Sequence, residues 1–546
     1  MNKSDWIKYF PYNEPRQQQV DAINFILDTF LNKGRRFALC NFPTGSGKSG
    51  IAITVARYLA DNYQTQQPEL YSSGAYVLTT QKILQQQYIR DFAEPNGCLK
   101  DIKSSENYTC SYYKKQTCAE SRRMLKFAQK SSVFFSACAN DCVYKQAKEA
   151  FLSSPESTTN YSYFLSETVY AGKIKPRNLI ICDEVHNLPD ELGKFVEISF
   201  SEFFANSIGI IMPDIKSDAQ AMKWIKNEYK PTLIKYADGL KTIIDDELSR
   251  KKIDEVELKK LAKKFEKIDK HMCKINRFLD EYDKDNWVLD VSITKEKNTR
   301  RLEFKPIDVS SHSKELLLGF SEFFIMMSAT VLSKSIFCKQ LGIDENEAEY
   351  LYLESPFPLE NRPIFYAPAG SMTYQNIDKT LPKLIEVIKT LLEHHKTEKG
   401  LIHCHSYRIA NYIRYNLHDK RLLFHEQESF SRHSALEEHL GSKEPTVLVT
   451  PSMTEGIDLY DDLSRFQILA KIPYPSLGSK IVRKKIKRWS WWYSHETTKT
   501  IIQSIGRSVR NENDYCSTYI LDENFDYFYK KHKDIFPVWF DSVLQR

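Results

Sequence analysis

The sequence predicts an α/β protein of several domains, organised around a parallel sheet. Three observations predict it. The chain has 546 residues, which at about 150 per domain gives three to four domains. A Gly-rich turn, Phe42-Pro43-Thr44-Gly45-Ser46-Gly47-Lys48-Ser49, stands between the apolar run Phe37-Ala38-Leu39-Cys40 and a helical start at Ile51–Ala56. A second apolar run, Asn178–Cys182, ends in Asp183-Glu184-Val185-His186, about 135 residues after Lys48.

The first turn is in the setting a phosphate loop requires, between a strand and a helix. Thr44, Gly45, Ser46 and Gly47 let backbone N–H groups approach phosphate, and the helix N-terminus adds a favourable dipole. Lys48 then reaches the β- and γ-phosphates of ATP, and the Ser49 hydroxyl is placed to ligate Mg²⁺. The strict pattern has glycine where this chain has Phe42, but the TGSGKS core is intact. At the tip of the second strand Asp183 is the expected Mg²⁺ residue and Glu184 the expected general base for the attacking water.

Three later segments extend the motor. Met327-Ser328-Ala329-Thr330 follows the apolar strand Phe323–Met326, and its hydroxyls can link Asp183 to movements elsewhere. Thr454-Glu455-Gly456-Ile457-Asp458 follows the strand Val447–Thr450. Gln503 through Arg510 is predicted to be helical, with Arg507 and Arg510 three apart on one face. Arginines aimed at a γ-phosphate are worth on the order of 10³–10⁵ in rate.

Composition bounds the class. Hydrophobic residues at 42% and charged residues at 27% exclude a largely disordered chain. No apolar run is long enough to span a bilayer, and the first thirty residues carry no secretory signal. The balance of 77 basic to 71 acidic residues, +6, permits a polyanionic partner without demanding one. Eleven cysteines, an odd number without an export signal, point to a reducing, cytoplasmic setting. Cys110, Cys118, Cys138 and Cys142 form C-x7-C-x19-C-x3-C, and four thiolates of this kind hold either Zn²⁺ or an iron–sulfur cluster. Cys98 is a substitute ligand, while Cys40, Cys182 and Cys404 read as buried small hydrophobes.

In order and spacing, TGSGKS, DEVH, MSAT, TEGID and QSIGRSVR resemble motifs I, II, III, V and VI of superfamily 2 helicases. Ser355-Pro356-Phe357-Pro358 with Glu360-Asn361-Arg362, the segment Asn160–Leu165, and Lys103 with Asn107-Tyr108-Thr109-Cys110 resemble the XPD/DinG group of iron–sulfur DNA helicases. The resemblance implies two RecA-like (P-loop NTPase) motor domains with ATP between them. An iron–sulfur insertion and a helical arch insertion would interrupt the first. The expected division is residues 1–97, 156–192 and 308–345 for motor 1, 98–155 for the cluster domain, 193–307 for the arch and 346–546 for motor 2.

The same resemblance implies Gln503, Gly456 and Asp458 at the ATP site, and a [4Fe–4S] cluster rather than zinc, although the usual proline after the last cysteine is Val143 here. Thr79, Thr80 and Gln81 on motor 1, and Ser406 and Tyr407 on motor 2, take the places that touch single-stranded DNA. Gln17 is expected near the base. Further implications are a monomer that moves 5′→3′ on single-stranded and forked DNA, with repair or replication proteins as partners. The 36 residues after Arg510 leave no room for a nuclease domain. Two rivals stay open: an RNA-directed remodeller, and a non-catalytic ATP-binding subunit.

Two patches carry weaker signals. Leu258, Leu261, Phe265, Ile268, Met272, Ile275 and Leu279 alternate spacings of three and four, a stripe for a partner helix, and residues 251–285 hold eleven basic and nine acidic side chains. Arg483–Arg488 runs into Trp489–Tyr493, which suits phosphate contact and base stacking, with core packing of the tryptophans favoured.

Overall fold

The computed structural model describes all residues except 1–2, 44, 94–97, 126–129, 251–253, 295–297, 427, 452–458, 460, 507 and 510–512. Along the chain the first sheet receives β1 (Phe37–Asn41), β2 (Ser72–Thr79), β3 (Leu99–Asp101), β4 (Glu156–Asn160) and β5 (Arg177–Asp183). The chain then leaves for an antiparallel ribbon of β6 (Ile198–Ser201), β7 (Trp287–Thr294) and β8 (Thr299–Pro306), and returns with β9 (Ser321–Ser328) and β10 (Ala348–Tyr352). A second sheet takes β11 (Ile364–Gly370), β12 (Gly400–His403), β13 (Leu422–Phe424), β14 (Val447–Thr450), β15 (Phe466–Leu469), β16 (Ser517–Asp522) and β17 (Leu544–Gln545).

Both seven-stranded sheets are parallel, in the orders β10-β1-β9-β5-β2-β4-β3 and β13-β14-β12-β15-β16-β11-β17. Helices cover both faces, so the strands are continuous apolar runs. Alternate residues serve opposite cores: Phe37 and Leu39 of β1 join one, Ala38 and Cys40 the other. Cys182 and Cys404 are likewise fully buried, as expected of small hydrophobes.

The strand order explains why distant motifs meet. β1, β9 and β5 are neighbours, with Asn41 opposite Ser328 and Asp183 opposite Met327. The turns that leave the carboxyl ends of β1 and β5, and the end of β9 itself, therefore converge at one edge, the usual ligand position in such sheets.

Sheet membership corrects two domain boundaries. Leu99–Asp101 pairs with β4 and belongs to motor 1 rather than to the cluster insertion. Ala348–Tyr352 pairs with β1, so motor 1 continues past residue 345 and the linker to motor 2 lies between Tyr352 and Ile364. The arch region is also less purely helical than expected, since it carries the β6-β8-β7 ribbon. Its long helix, Glu255–Glu281, packs on Lys230–Ser249 along the expected stripe, with Leu258, Ile268 and Ile275 buried. Between the insertions Arg123 meets Glu266 at 2.7 Å and the Lys259 ammonium stands over the Tyr113 ring.

Of the basic-aromatic patch, Trp492 is buried, whereas Trp489 and Trp491 are half-buried and stack on each other. Helix Lys480–Arg488 rests against the segment that follows β8 through Arg488 and Asp308, 3.1 Å apart. Among the described residues no helix is long and apolar enough to cross a membrane.

Candidate active site

The phosphate loop is built by Gly45 and Gly47, both at positive φ (77° and 78°), which place Lys48 at the first position of helix Lys48–Asn62. Gly47 is required twice over, since a Cβ there would sit 2.3 Å from Gln19 Nε2. That amide donates to the Ser46 carbonyl at 3.1 Å, and Arg16 Nη2 donates to the Gly45 carbonyl at 2.6 Å. Two side chains from the preceding helix thus hold the loop, and sequence reasoning missed both. Gln17, expected near the base, donates to Asp21. The available signal was position: Gln19 is the third residue of its helix, where a glutamine reaches back to the N-cap, as its Oε1 does to the Arg16 N–H. Thr44 lies outside the described residues.

Across the cleft Asp183 ends β5 in full burial. Its Oδ1 accepts from the Glu184 N–H at 2.9 Å and its Oδ2 from the Tyr88 hydroxyl at 3.1 Å. Burial pushes this carboxyl above the usual range, against the pull of nearby Lys48. Tyr161, in the segment before β5, donates to the Asp183 carbonyl at 3.0 Å. Glu184 adopts φ 50°, a left-handed turn uncommon outside glycine. The turn aims its Oε1 at Lys48 Nζ, 2.9 Å away, and its Oε2 at His186 Nδ1, 3.4 Å away.

From His186 a run of polar contacts leaves motor 1. His186 Nδ1 is 2.6 Å from Ser328 Oγ, Ser328 Oγ is 3.4 Å from Thr330 Oγ1, and Gln503 Nε2 donates to Thr330 Oγ1 at 3.4 Å. Motif III therefore lies between the DEVH turn and a motor 2 side chain. Gln503 belongs to helix Trp492–Ile505, which Gly506 caps. This corrects the helical reading of the whole 503–510 stretch: Ser508 and Val509 are non-helical, because glycine is a poor interior residue and a good terminator. Arg507, Arg510, Gly456 and Asp458 lie outside the described residues.

Of the expected nucleic-acid residues, Thr80 and Gln81 leave the carboxyl end of β2, and Ser406 and Tyr407 leave that of β12. Thr79 is buried and donates its hydroxyl to the Gln81 carbonyl, so it shapes the turn while Gln81 stands exposed.

The four insertion cysteines converge. Cys118 and Cys142 are 3.7 Å apart at sulfur, Cys138 lies near Cys142 and Cys110, and burial with the Cys142 sulfur alongside pushes the Cys118 thiol up to about 12. Among the described residues no three ligating groups are already arranged to hold a metal ion. The donor set itself, four thiols within a small insertion, fits thiolate ligation. Cys98 stands apart in sequence, immediately before β3 at the edge of the first sheet. The insertion reaches the cleft through Tyr144, whose hydroxyl is 2.9 Å from that of Tyr163, two residues from Tyr161.

Comparison with known proteins follows this geometry. Residues 388–543 match the helicase C-terminal domain model and residues 13–212 the model of the type III restriction enzyme res subunit. A probable ATP-dependent helicase of Methanocaldococcus jannaschii is 29% identical over 245 residues, covering 40% of this chain and 37% of that protein. The ATP-dependent DNA helicase DinG of Photobacterium profundum is 29% identical over 241 residues, covering 40% and 34%. The chain thus aligns with about a third of the length of these relatives. Two solved structures share the fold across nearly the whole chain. An XPD helicase gives a TM-score of 0.62 at 19% identity, covering 96% of this chain and 99% of that one. Xpd4 of S. tokodaii gives 0.57 at 16%, covering 95% and 99%. With motifs I, II and III meeting at one sheet edge, these matches support a resemblance to the XPD/DinG-like superfamily 2 helicases.

Proposed function

We propose that this chain is an ATP-dependent DNA helicase that moves 5′→3′ along single-stranded DNA and separates duplex ahead of it. The observation that carries the reading is the path Glu184, His186, Ser328, Thr330, Gln503, which joins the hydrolytic carboxylate to the second motor domain. A motor needs such a joint, because hydrolysis does work only if the γ-phosphate controls how the two domains sit.

In this reading the loop from Gly45 to Ser49 cradles ATP. The Lys48 ammonium exchanges Glu184 for the γ-phosphate, and Glu184, released, accepts a proton from the attacking water. Ser49 and Asp183 would hold Mg²⁺, which would supply charge neutralisation at the developing phosphate. Thr44 is assigned to nucleotide binding with that loop, as are Gly456 and Asp458. Arg507 and Arg510, just beyond the helix that ends at Ile505, supply positive charge to the transition state. Thr80, Gln81, Ser406 and Tyr407 track the strand's phosphates. The Arg123–Glu266 and Lys259–Tyr113 contacts close the two insertions against each other, so a single strand is threaded rather than gripped from one side. Strand displacement tests this reading: forked DNA with ATP is expected to be separated and an RNA duplex left intact. The reverse preference would replace it with an RNA remodeller.

Cys110, Cys118, Cys138 and Cys142 are assigned to one [4Fe–4S] cluster, which staples an insertion of about 50 residues too small to fold alone. Chain purified without oxygen is expected to be coloured and to yield iron and acid-labile sulfide in equal amounts. Cys142→Ser should lose both. Colourless protein carrying zinc without sulfide would overturn the assignment.

A further inference from the structure

Tyr88 has no place in the motifs, yet it stands among them. It is a buried phenol on helix Lys82–Phe92, the helix that begins directly after Thr80 and Gln81. Its Oη donates to Asp183 Oδ2 at 3.1 Å. A phenol has one hydrogen to give and lone pairs to accept with. Here that hydrogen goes to Asp183. The Glu184 N–H holds the other Asp183 oxygen at 2.9 Å, so both carboxylate oxygens are oriented.

The helix carrying Tyr88 is itself tied down. Gln85 Nε2 donates to the Ile102 carbonyl at 2.9 Å, and Arg57 Nη2 donates to the Phe92 carbonyl, also at 2.9 Å. From Gln81 to Tyr88 is two helical turns, about 10 Å at 1.5 Å per residue. A body this short and this braced moves as one piece, so a displacement at Gln81 reaches the phenol.

We propose that Tyr88 is a positioning residue that ties the DNA-facing turn at Thr80 and Gln81 to Asp183, setting how tightly that carboxylate holds Mg²⁺. The inference rests on the magnesium and DNA assignments of the proposed function and adds the residue that connects them. Outer partners of metal ligands are worth about 10–100-fold in metal affinity, and Tyr88 falls in that class.

The test uses the full chain, Tyr88→Phe and a buried-hydroxyl control, Thr29→Val, whose Oγ1 serves only the Phe25 carbonyl. Binding of a fluorescent N-methylanthraniloyl-ADP is titrated with MgCl2, with and without an oligo-dT strand, and thermal midpoints check folding. Tyr88→Phe is expected to raise the half-saturating Mg²⁺ about 10–100-fold at a near-native midpoint. In the wild type DNA should shift that half-point, and in the variant it should not; Thr29→Val should behave as wild type. A Tyr88→Phe half-point equal to wild type, with the same DNA shift, overturns the inference and leaves the helicase reading standing. Wild-type binding indifferent to Mg²⁺ overturns the magnesium assignment, and the Tyr88 role with it.

Discussion

Replacing Glu184 with glutamine is expected to lower ATP turnover by about 10²–10⁴-fold, the contribution of a well-placed general base, while nucleotide still binds. The substitution keeps shape and the left-handed turn at φ 50°, so the loss isolates the proton acceptor rather than the fold. Lys48 loses its carboxylate partner at 2.9 Å but keeps its phosphate role, and Km for ATP should change far less than kcat. Phosphate release with saturating single-stranded DNA checks the first statement, and titration with a fluorescent nucleotide checks the second. Turnover within a few-fold of wild type would remove Glu184 from the chemistry.

The arginines give the other large expected effect. Arg510→Ala and Arg507→Ala should lower DNA-stimulated turnover by up to about 10³–10⁵-fold for whichever side chain meets the γ-phosphate. Lysine at the same position should recover little, because its point charge lacks the planar fork of guanidinium. The structural basis is their place in the chain. Gln503, anchored to Thr330 across the motor interface, precedes them by four and seven residues on a segment that leaves its helix at Gly506. Single variants that both retain turnover within tenfold would exclude an arginine finger from this segment.

Much of the motor is legible in the sequence. TGSGKS and DEVH could be read because each needs only a strand, a turn and a few residues in fixed order, and local sequence carries all of that. The stripe from Leu258 to Leu279 was equally readable, since helical periodicity states which face is buried. What escaped depends on partners distant in sequence. Gln19 follows two other glutamines, and its helical phase is set by where the helix starts. Tyr88 looks like any apolar helix residue until β2 and β5 are known to be adjacent, which brings its hydroxyl to Asp183. The two misplaced boundaries have the same origin: Leu99–Asp101 and Ala348–Tyr352 are short strands whose membership is decided by pairing, not by composition. Gly506 was the opposite case, a terminator visible in the sequence and outweighed there by the three-residue spacing of the arginines.

The central claim is directional, ATP-driven strand separation, and strand displacement resolved by tail polarity tests it most directly. With ATP and Mg²⁺, duplex DNA bearing a 5′ single-stranded tail is expected to be separated and the matched 3′-tailed duplex is not. Glu184→Gln should separate neither. Equal separation of both substrates, of only the 3′-tailed one, or of neither by the wild-type chain while it hydrolyses ATP would contradict the account.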